Sequence, residues 1–407
     1  MADLLGFTGI LLVCLLTFIV SLRHPDISKI LYIALGLRIT VLLLGHYVIT
    51  LPDSTDDAWV FENKAWIWSQ NDFFSLLYKF TGPSPDFISW LIAIPYYLFG
   101  RSLLMAQSIS LLFGIGSVFL CWLIAKKLWN NYIANKVGWI TALFPSLILY
   151  SILFLREVYI VFFILLALYG VVSWAKDNNL KSFILAMIGF IGATFFHGAM
   201  MIGAIAFISI VGMSSLKETI KLIIKGKINL KISILLFSFI IFAGLYLTNN
   251  IKVPYLGNFK STSSIKNLSI KTELNTHGDA SWPKWTIITS VDELFYKVPV
   301  RAIYFVFGPF PWDIKKFKHL IGMFDALLYM YLVYLIIFNI KFILKDPALR
   351  IVLIILLSYI VVFAVGVGNF GTSIRHRSKF TALFILLAAQ GLHKFKISNN
   401  KKFKVNY

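Results

Sequence analysis

Apolar runs of about 20 residues recur along the chain, and each is long enough to cross the hydrocarbon core of a bilayer as a helix. A bilayer offers no water to unpaired backbone groups, so spanning segments of this kind must be helical. The pattern predicts about eleven spans. Their approximate centres are Cys14, Ile39, Gly114, Leu147, Leu165, Gly189, Phe207, Phe239, Tyr331, Leu357 and Leu386. We therefore predict an all-α, polytopic membrane helix bundle that forms a single domain over residues 1–407.

Two further apolar stretches are too short or too interrupted by proline to predict spans. Phe87–Gly100 contains Pro95, and Val298–Phe310 is bounded by Pro299 and Pro309. They are typical of re-entrant or interfacial helices. The two large loops that contain them, 51–102 and 249–320, are predicted to lie outside the membrane on the same side.

The composition excludes an ordinary soluble domain. Hydrophobic residues make up 59% of the 407 residues and charged residues only 14%, against about 25% charged in soluble proteins. The net charge of +20 does not indicate a nucleic-acid partner. Most of the lysines fall in short loops and in the tail, where positive charge sets membrane orientation.

The lysine distribution predicts which side each loop occupies. The basic loops that the span count puts on one side contain Lys126, Lys127, Lys136, Lys176, Lys181, Lys217, Lys221, Lys225, Lys227, Lys231, Lys341, Lys345, Arg350 and the tail lysines. Short basic loops are cytoplasmic, so the N-terminus is expected outside and the C-terminus inside. The basic loop 249–320 lies outside, because long loops respond weakly to this rule.

The first external loop carries an acidic cluster. Asp53, Asp56 and Asp57 occur within five residues, and Glu62 follows among several aromatic residues. One interpretation is a capping box formed by Ser54 and Asp57. The other is a functional carboxylate, either a general base for an acceptor hydroxyl or a ligand of a divalent cation, Mg²⁺ or Mn²⁺, that binds phosphate. No other cofactor is predicted.

Basic residues occur at three further places on the same side. Arg156 and Glu157 open the fifth span, as a structural pair at the interface or as a guanidinium that binds a lipid phosphate bidentately. Arg375, His376 and Arg377 lie between the last two spans, where arginine breaks the usual charge asymmetry. The cluster is either a solvated turn or a site for a leaving phosphate. His197 ends the sixth span and is a structural residue or a ligand contact.

Several short motifs are similar to those of membrane glycosyltransferases of the GT-C superfamily and of O-antigen and exopolysaccharide polymerases. Asp56-Asp57 resembles the acidic motif in the first external loop of GT-C enzymes. Phe99-Gly100-Arg101-Ser102 and Leu155-Arg156-Glu157 resemble the stretch that follows it. Pro309-Phe310-Pro311-Trp312 and the segment from Gly371 to Arg377 resemble patterns in polysaccharide-assembly proteins, and Arg156 followed by Phe196-His197 is similar to the exopolysaccharide polymerase pattern.

The resemblance implies a GT-C-like enzyme of the cytoplasmic (inner) membrane that acts on polyprenyl-phosphate or polyprenyl-diphosphate sugars at the extracytoplasmic face. The expected partners are a polyprenyl-linked sugar or oligosaccharide, membrane lipid and a glycan acceptor. Asp57, with Asp56 as its substitute, would act on the acceptor. The expected substrate- and phosphate-binding residues are Arg375, Arg377, His376, Arg156, Glu157, His197 and Glu62, with Trp312 stacking on sugar.

Three functions remain open from the sequence, besides a structural role as a subunit of a secretion or envelope complex. Repeat-unit polymerisation of a surface polysaccharide is the first, and single-sugar transfer of the protein O-mannosyltransferase type is the second. The third, from another class, is a flippase or transporter of lipid-linked oligosaccharide. A transporter should carry polar residues at the bilayer midplane in broken helices, whereas the charges here fall mostly at one membrane face.

Overall fold

A computed structural model describes residues 2–224, 248, 265–274, 276, 280–314 and 317–394. Within these ranges the chain is helical and contains no β-strand, with one isolated antiparallel bridge between Ser281 and Asn369. The predicted all-α fold is confirmed. The α-helices are α1 Ala2–Arg23, α2 Pro25–Tyr47, α3 Asp56–Ser69, α4 Phe73–Tyr78, α5 Phe87–Phe99, α6 Leu103–Leu128, α7 Asn131–Leu143, α8 Pro145–Tyr150, α9 Glu157–Asp177, α10 Leu180–Phe196, α11 Met201–Ile224, α12 Ile265–Leu274, α13 Leu294–Phe307, α14 Phe317–Phe338, α15 Ile340–Lys345, α16 Pro347–Gly366, α17 Phe370–Arg377 and α18 Thr381–Lys394. Short 3-10 helices occupy Gly198–Met200, Lys284–Thr286, Pro311–Asp313 and Ser378–Phe380.

Six helical segments in the described part of the chain are long and apolar enough to cross a membrane. They are 19 to 26 residues long, and they are Ala2–Arg23, Pro25–Tyr47, Leu103–Leu128, Glu157–Asp177, Gly198–Leu216 and Pro347–Gly366. Phe87–Phe99, Leu180–Phe196 and Gly322–Phe338 are shorter apolar helices. The predicted span centred on Phe239 lies outside the described residues. The chain is therefore a multi-helix membrane protein, and the count of about eleven spans stays a prediction.

The predicted span centred on Leu147 is two helices. Helix α7 ends at Leu143 and α8 begins at Pro145, with Phe144 extended between them. Proline has no N–H to donate and disfavours helical backbone in the residue before it, so the helix breaks there. Tyr150, at the end of α8, is thereby brought next to the first external loop, where its hydroxyl donates to Asp53 Oδ2 at 2.7 Å.

Three of the lysines that were predicted to share one side meet at one end of the bundle. Lys126 lies 3.1 Å from Asp26 at the start of α2, and Lys127 lies 3.3 Å from Asp177 at the end of α9. Lys136 donates to the carbonyl of Leu392 near the end of α18 at 2.8 Å. Helix α9 runs about 30 Å from this basic end to its other end, so Glu157 at the start of α9 lies at the opposite end.

Close packing of α9 on α10 fixes the geometry at that opposite end. A Cβ atom on Gly170 would come within 2.4 Å of Ala186 N, and one on Gly189 within 2.3 Å of Ala167 N. Only glycine allows the two backbones to approach this closely, as is common between membrane helices. The start of α9 and the end of α10, which bear Glu157 and His197, are therefore held in a fixed relation.

Candidate functional site

A polar cleft of about 430 Å³ lies at the end of the bundle opposite the lysines. It collects residues from four separate parts of the chain, namely the first loop, the start of α9, the end of α10 and helix α17. The lining residues are Asp53, Asp56, Asp57, Arg156, His197, Asn369, Gly371, Thr372, Arg375 and His376. Six of the ten predicted site residues are therefore brought together by the fold: Asp56, Asp57, Arg156, His197, Arg375 and His376.

Arg375 joins three of these parts. Its Nε donates to Oε1 of the fully buried Glu157 at 2.8 Å, and its Nη1 donates to Asp57 Oδ2. Nη2 of Arg375 and Oε2 of Glu157 are buried and have no hydrogen-bond partner among the described residues. Burial alone would lower the pKa of Arg375, but Glu157 and Asp57 outweigh it and raise that pKa. The guanidinium therefore stays positively charged, and its N–H group at Nη2 has no hydrogen-bond partner among the described residues.

The capping interpretation of the acidic loop is wrong. Helix α3 begins at Asp56 with Thr55 as its N-cap, and no side chain makes a capping hydrogen bond. Ser54 donates its hydroxyl to the carbonyl of Leu51 at 2.7 Å instead. Asp57 faces the cleft with about half of its side chain exposed, 52%, and its described ion pair is with Arg375. A capping hydrogen bond therefore does not explain Asp57, although an acid in the first turn of a helix is favourable.

Asp53 is a cleft residue that was not predicted as one. It accepts the hydrogen bond from Tyr150 and has a φ of 61°, in the left-handed region that non-glycine residues seldom occupy. Asp53 also lines a second, mostly apolar cavity of about 280 Å³, together with Pro145, Leu149 and Phe324. The cleft and this cavity share Asp53 and Gly371. Asp53 therefore stands at the junction of a polar and an apolar space.

The described hydrogen bond of the Glu157 carboxylate is with Arg375 and not with its neighbour Arg156, although the positive charge of Arg156 also acts on Glu157. The buried Glu157 carboxylate is bonded to Arg375, with Lys379 Nζ 3.5 Å away. The Arg156 guanidinium lies over the ring of Phe61, 4.9 Å from its centroid, and lines the cleft. The position of Arg156 is compatible with the predicted contact to a lipid phosphate, which stays a prediction.

His376, His197 and Lys379 form a third group. The two imidazole rings are 5.5 Å apart between centroids and nearly perpendicular. His376 Nδ1 lies 2.6 Å from Nζ of Lys379, whose side chain is fully buried. Lys379 was not predicted as a site residue, because a lysine directly before an apolar run is usually an interfacial anchor.

Arg377 lies away from the cleft, although it was predicted to bind phosphate. Its fully buried guanidinium contacts Asp325 at 3.0 and 2.7 Å. Its other N–H groups donate to the carbonyls of Val306, Gly308 and Gly322. Residues two apart on a helix do not share a face, so Arg375 and Arg377 diverge. Arg377 therefore ties α17 to α13 and α14 and contributes nothing to the cleft.

Glu62 and Trp312 also lie outside the cleft. Glu62 is buried and accepts from Tyr96 at 3.0 Å and from both arms of Arg101 at 2.9 and 2.6 Å. Trp312 is 73% exposed and stacks on Phe310, with 4.9 Å between ring centroids. Glu62 faces the other side of α3 from Asp57, because five positions along a helix change its face. Both residues were predicted to bind substrate, but neither lines the cleft.

A divalent cation, Mg²⁺ or Mn²⁺, was one interpretation of the cleft carboxylates. No three Asp, Glu, His or Cys side chains come together as metal ligands would in the part of the chain that the structure describes. Asp57 is also engaged by Arg375. Mg²⁺ is often held by one or two carboxylates together with substrate phosphate, so a cation that binds with the donor stays a prediction, and no step of the proposed reaction depends on it.

Comparisons with known proteins identify no family for this chain. No protein-family model and no curated protein matches it. Among solved structures, it is similar to the crystal structure of the oligosaccharyltransferase of Archaeoglobus fulgidus in the apo form, with a TM-score of 0.49 and 13% sequence identity. The similarity covers 92% of this chain and 50% of the archaeal enzyme, so the chain spans about half of that protein's length. A likeness of this degree assigns no function.

Proposed function

We propose that this chain is an integral membrane glycosyltransferase that takes a sugar from a polyprenyl-phosphate or polyprenyl-diphosphate donor and transfers it to a hydroxyl group. The observation that carries the proposal is the junction of the polar cleft with the apolar cavity at Asp53 and Gly371. A lipid-linked sugar has an anionic, hydroxylated end and a hydrocarbon end. A polar cleft with two guanidinium groups beside an apolar cavity at one end of a membrane bundle suits both.

Arg375 and Arg156 are the groups proposed to bind the donor phosphate. Guanidinium groups pair bidentately with phosphate, and a positively charged hydrogen-bond donor stabilises the negative charge of a leaving phosphate. Arg375 is held by Glu157 and Asp57 and still has Nη2 without a partner among the described residues. Because both acids hold it in place, its side chain loses little freedom when a ligand binds.

The carboxylates Asp53, Asp56 and Asp57 are the candidates for proton acceptor. In the transfer, the acceptor oxygen bonds to the anomeric carbon and the bond from that carbon to the phosphate oxygen breaks. The electron pair leaves with the phosphate, and the hydroxyl proton passes to a carboxylate. Asp57 is a candidate although it is paired with Arg375, and Asp53 is a second candidate because it lines both the cleft and the apolar cavity.

Polymerisation of the repeat units of a surface polysaccharide at the extracytoplasmic face of the cytoplasmic membrane is the specific form that we propose. It rests on the motif resemblance and on the placement of the cleft opposite the lysine-rich end. Single-sugar transfer would use the same cleft. A flippase is less well supported. A transporter should present polar residues at the bilayer midplane, whereas the buried Arg38 in the middle of α2 donates hydrogen bonds to Ser151 at 2.9 Å and to the carbonyl of Ala142 at 2.8 Å.

The test is the surface glycan of a strain that lacks this chain. We expect the glycan to be lost or shortened and to be restored by the wild type but not by Arg375→Lys. Arg101→Lys is the matched control, because Arg101 makes a bidentate ion pair with Glu62 outside the cleft. Loss of a transferase leaves the lipid-linked unit on the outer leaflet, whereas loss of a flippase leaves it on the inner leaflet. An unchanged glycan, or an inner-leaflet precursor, would contradict the proposal.

A further inference from the structure

His376 and Lys379 form a hydrogen-bonded pair that the reaction above does not use. Lys379 Nζ lies 2.6 Å from His376 Nδ1, and His376 lines the polar cleft. The Lys379 side chain has no exposed surface. Burial disfavours the ammonium, so a fully buried lysine needs hydrogen-bond acceptors around it.

The surroundings of Lys379 leave its ammonium two acceptors among the described residues. One is Glu157 Oε1 at 3.5 Å and the other is His376 Nδ1. The ring of Phe363 lies 5.5 Å from Nζ and closes another side. The other ionisable groups that act on this pair are Arg156, Arg375 and His197, with Asp57 beyond Arg375.

The donor and acceptor roles in this pair follow from the chemistry of the two groups. An ammonium has only donors, and a neutral imidazole has one N–H and one bare nitrogen. While Lys379 is protonated, Nδ1 of His376 must accept, so the ring proton lies on Nε2. Burial, with Lys379, His197, Arg375 and Arg156 adding to it, holds the pKa of His376 well below its usual range. His376 is therefore neutral and not an imidazolium.

We propose that Lys379 is a positioning residue that fixes His376 in the tautomer protonated on Nε2, so that His376 presents a hydrogen-bond donor to the phosphate in the cleft. The identity of that phosphate rests on the proposed function. Nε2 is the nitrogen that Lys379 leaves available on a ring that lines the cleft. A neutral N–H aimed at a leaving phosphate stabilises its charge without adding another buried cation.

The Lys379–His376 pair predicts that phosphate binding weakens as the pH rises. Burial lowers the pKa of the Lys379 ammonium to about 7, with Glu157 opposing and Arg156 and Arg375 reinforcing this shift. Below that pH Lys379 donates and Nε2 of His376 carries the proton. Above it, the neutral amine of Lys379 can donate to Nδ1 or accept from it, so Nε2 is no longer held as a donor, and the tautomer with a bare Nε2, which repels an anion, becomes populated. Phosphate binding should therefore be strongest below pH 7 and weaken as the pH rises through about 7.

The first experiment observes the tautomer directly. The full chain, labelled with nitrogen-15 histidine, is placed in phosphatidylcholine nanodiscs, and the His376 signals are assigned by their absence from His376→Gln. Well below pH 7 we expect a protonated Nε2 and an unprotonated Nδ1, and well above it a mixture of the two tautomers. A protonated Nδ1 at low pH would overturn the proposal. Lys379→Met should abolish the preference. If that variant does not fold, the pH comparison in the wild type decides alone.

The second experiment tests the donor role with inorganic pyrophosphate as the probe, by calorimetry in the same nanodiscs. The side-chain amide of glutamine can replace the Nε2 donor, whereas that of asparagine reaches only as far as Nδ1. His376→Gln should bind within a few-fold of the wild type and lose the pH dependence. His376→Asn should bind about 10-fold more weakly, as expected for one lost hydrogen bond to a charged group.

Equal affinity of the Gln and Asn variants, or no binding of pyrophosphate by the wild type, would contradict the donor role. Neither experiment measures glycan assembly. A strain whose glycan does not depend on this chain would refute the proposed function and leave the tautomer result standing. A wrong tautomer in a chain that does assemble glycan would refute only the inference about Lys379.

Discussion

Arg375 donates from Nε to Oε1 of Glu157 at 2.8 Å across a sequence separation of 218 residues. The bond joins α17 to the start of α9, and the same guanidinium reaches Asp57 at the start of α3. Three distant segments thus meet on one side chain. Glu157 is fully buried, so removing the positive charge of Arg375 would leave its carboxylate without a counter-charge, at a cost of several kcal/mol. The cleft is consequently shaped by an ion-pair network that also holds the fold together.

The Arg377–Asp325 pair is predicted to be structural. Arg377→Met leaves the buried Asp325 carboxylate without its counter-charge, which costs about 3–5 kcal/mol. We expect the amount of folded protein in the membrane, measured by fluorescence-detected size exclusion, to fall sharply. Because replacing both members of a buried pair with apolar residues is often tolerated, Arg377→Met combined with Asp325→Leu should recover part of it. Normal amounts of an inactive Arg377→Met protein would place Arg377 in the site after all.

The acidic loop is predicted to act chemically. Asn is isosteric with Asp but cannot take up a proton in this role, so Asp53→Asn or Asp57→Asn should lower glycan assembly about 100-fold if that residue is the proton acceptor. Tyr150→Phe serves as the control for Asp53, since it removes only the hydrogen bond to Asp53. All variants should reach normal protein levels. Full activity of Asp53→Asn, Asp56→Asn and Asp57→Asn would remove the loop from the mechanism.

The helices were largely predictable from the sequence because their cause is local. Apolar runs require helices in a bilayer wherever they occur, and two of the lysines that were assigned to one side, Lys126 and Lys127, do meet at one end of the bundle. The break at Pro145 was missed, although proline is a local signal. A span is counted from hydropathy, and Pro145 hardly changes the hydropathy of its run.

The site was predicted only in part because its pairings are not local. Arg375 and Arg377 look alike in the sequence, and only the partners Glu157 and Asp325, supplied by other helices, distinguish them. The spacing of Ser54 and Asp57 fits a capping box, but the turn with Asp53 at positive φ sends the Ser54 hydroxyl to Leu51 instead. Long-range placement of this kind leaves no mark on a local motif.

The orientation of the bundle is a further prediction. In a background with Cys14 and Cys121 replaced, Thr55→Cys and Gly371→Cys should react with an impermeant thiol reagent in intact cells, whereas Asn131→Cys and Lys181→Cys should not. All four positions are exposed. A Cβ on Gly371 would meet only Asn369 Oδ1, at 3.8 Å, so the cysteine fits there. Nearby Ser373 is fully buried and unsuitable. The opposite labelling pattern would place the cleft in the cytoplasm and refute an extracytoplasmic site.

Arg375→Lys distinguishes a phosphate-binding guanidinium from a purely structural ion pair. Lysine at position 375 keeps a positive charge beside Glu157, so the buried carboxylate stays compensated and the protein should fold. A lysine ammonium cannot bridge Glu157 and Asp57 and still offer a planar fork to a phosphate. We therefore expect normal protein levels with glycan assembly, measured as polymer amount and length, reduced about 10-fold or more. Arg101→Lys disturbs a similar fork outside the cleft and should remain active. Unchanged glycan in Arg375→Lys would show that Arg375 serves only to pair Glu157 with Asp57.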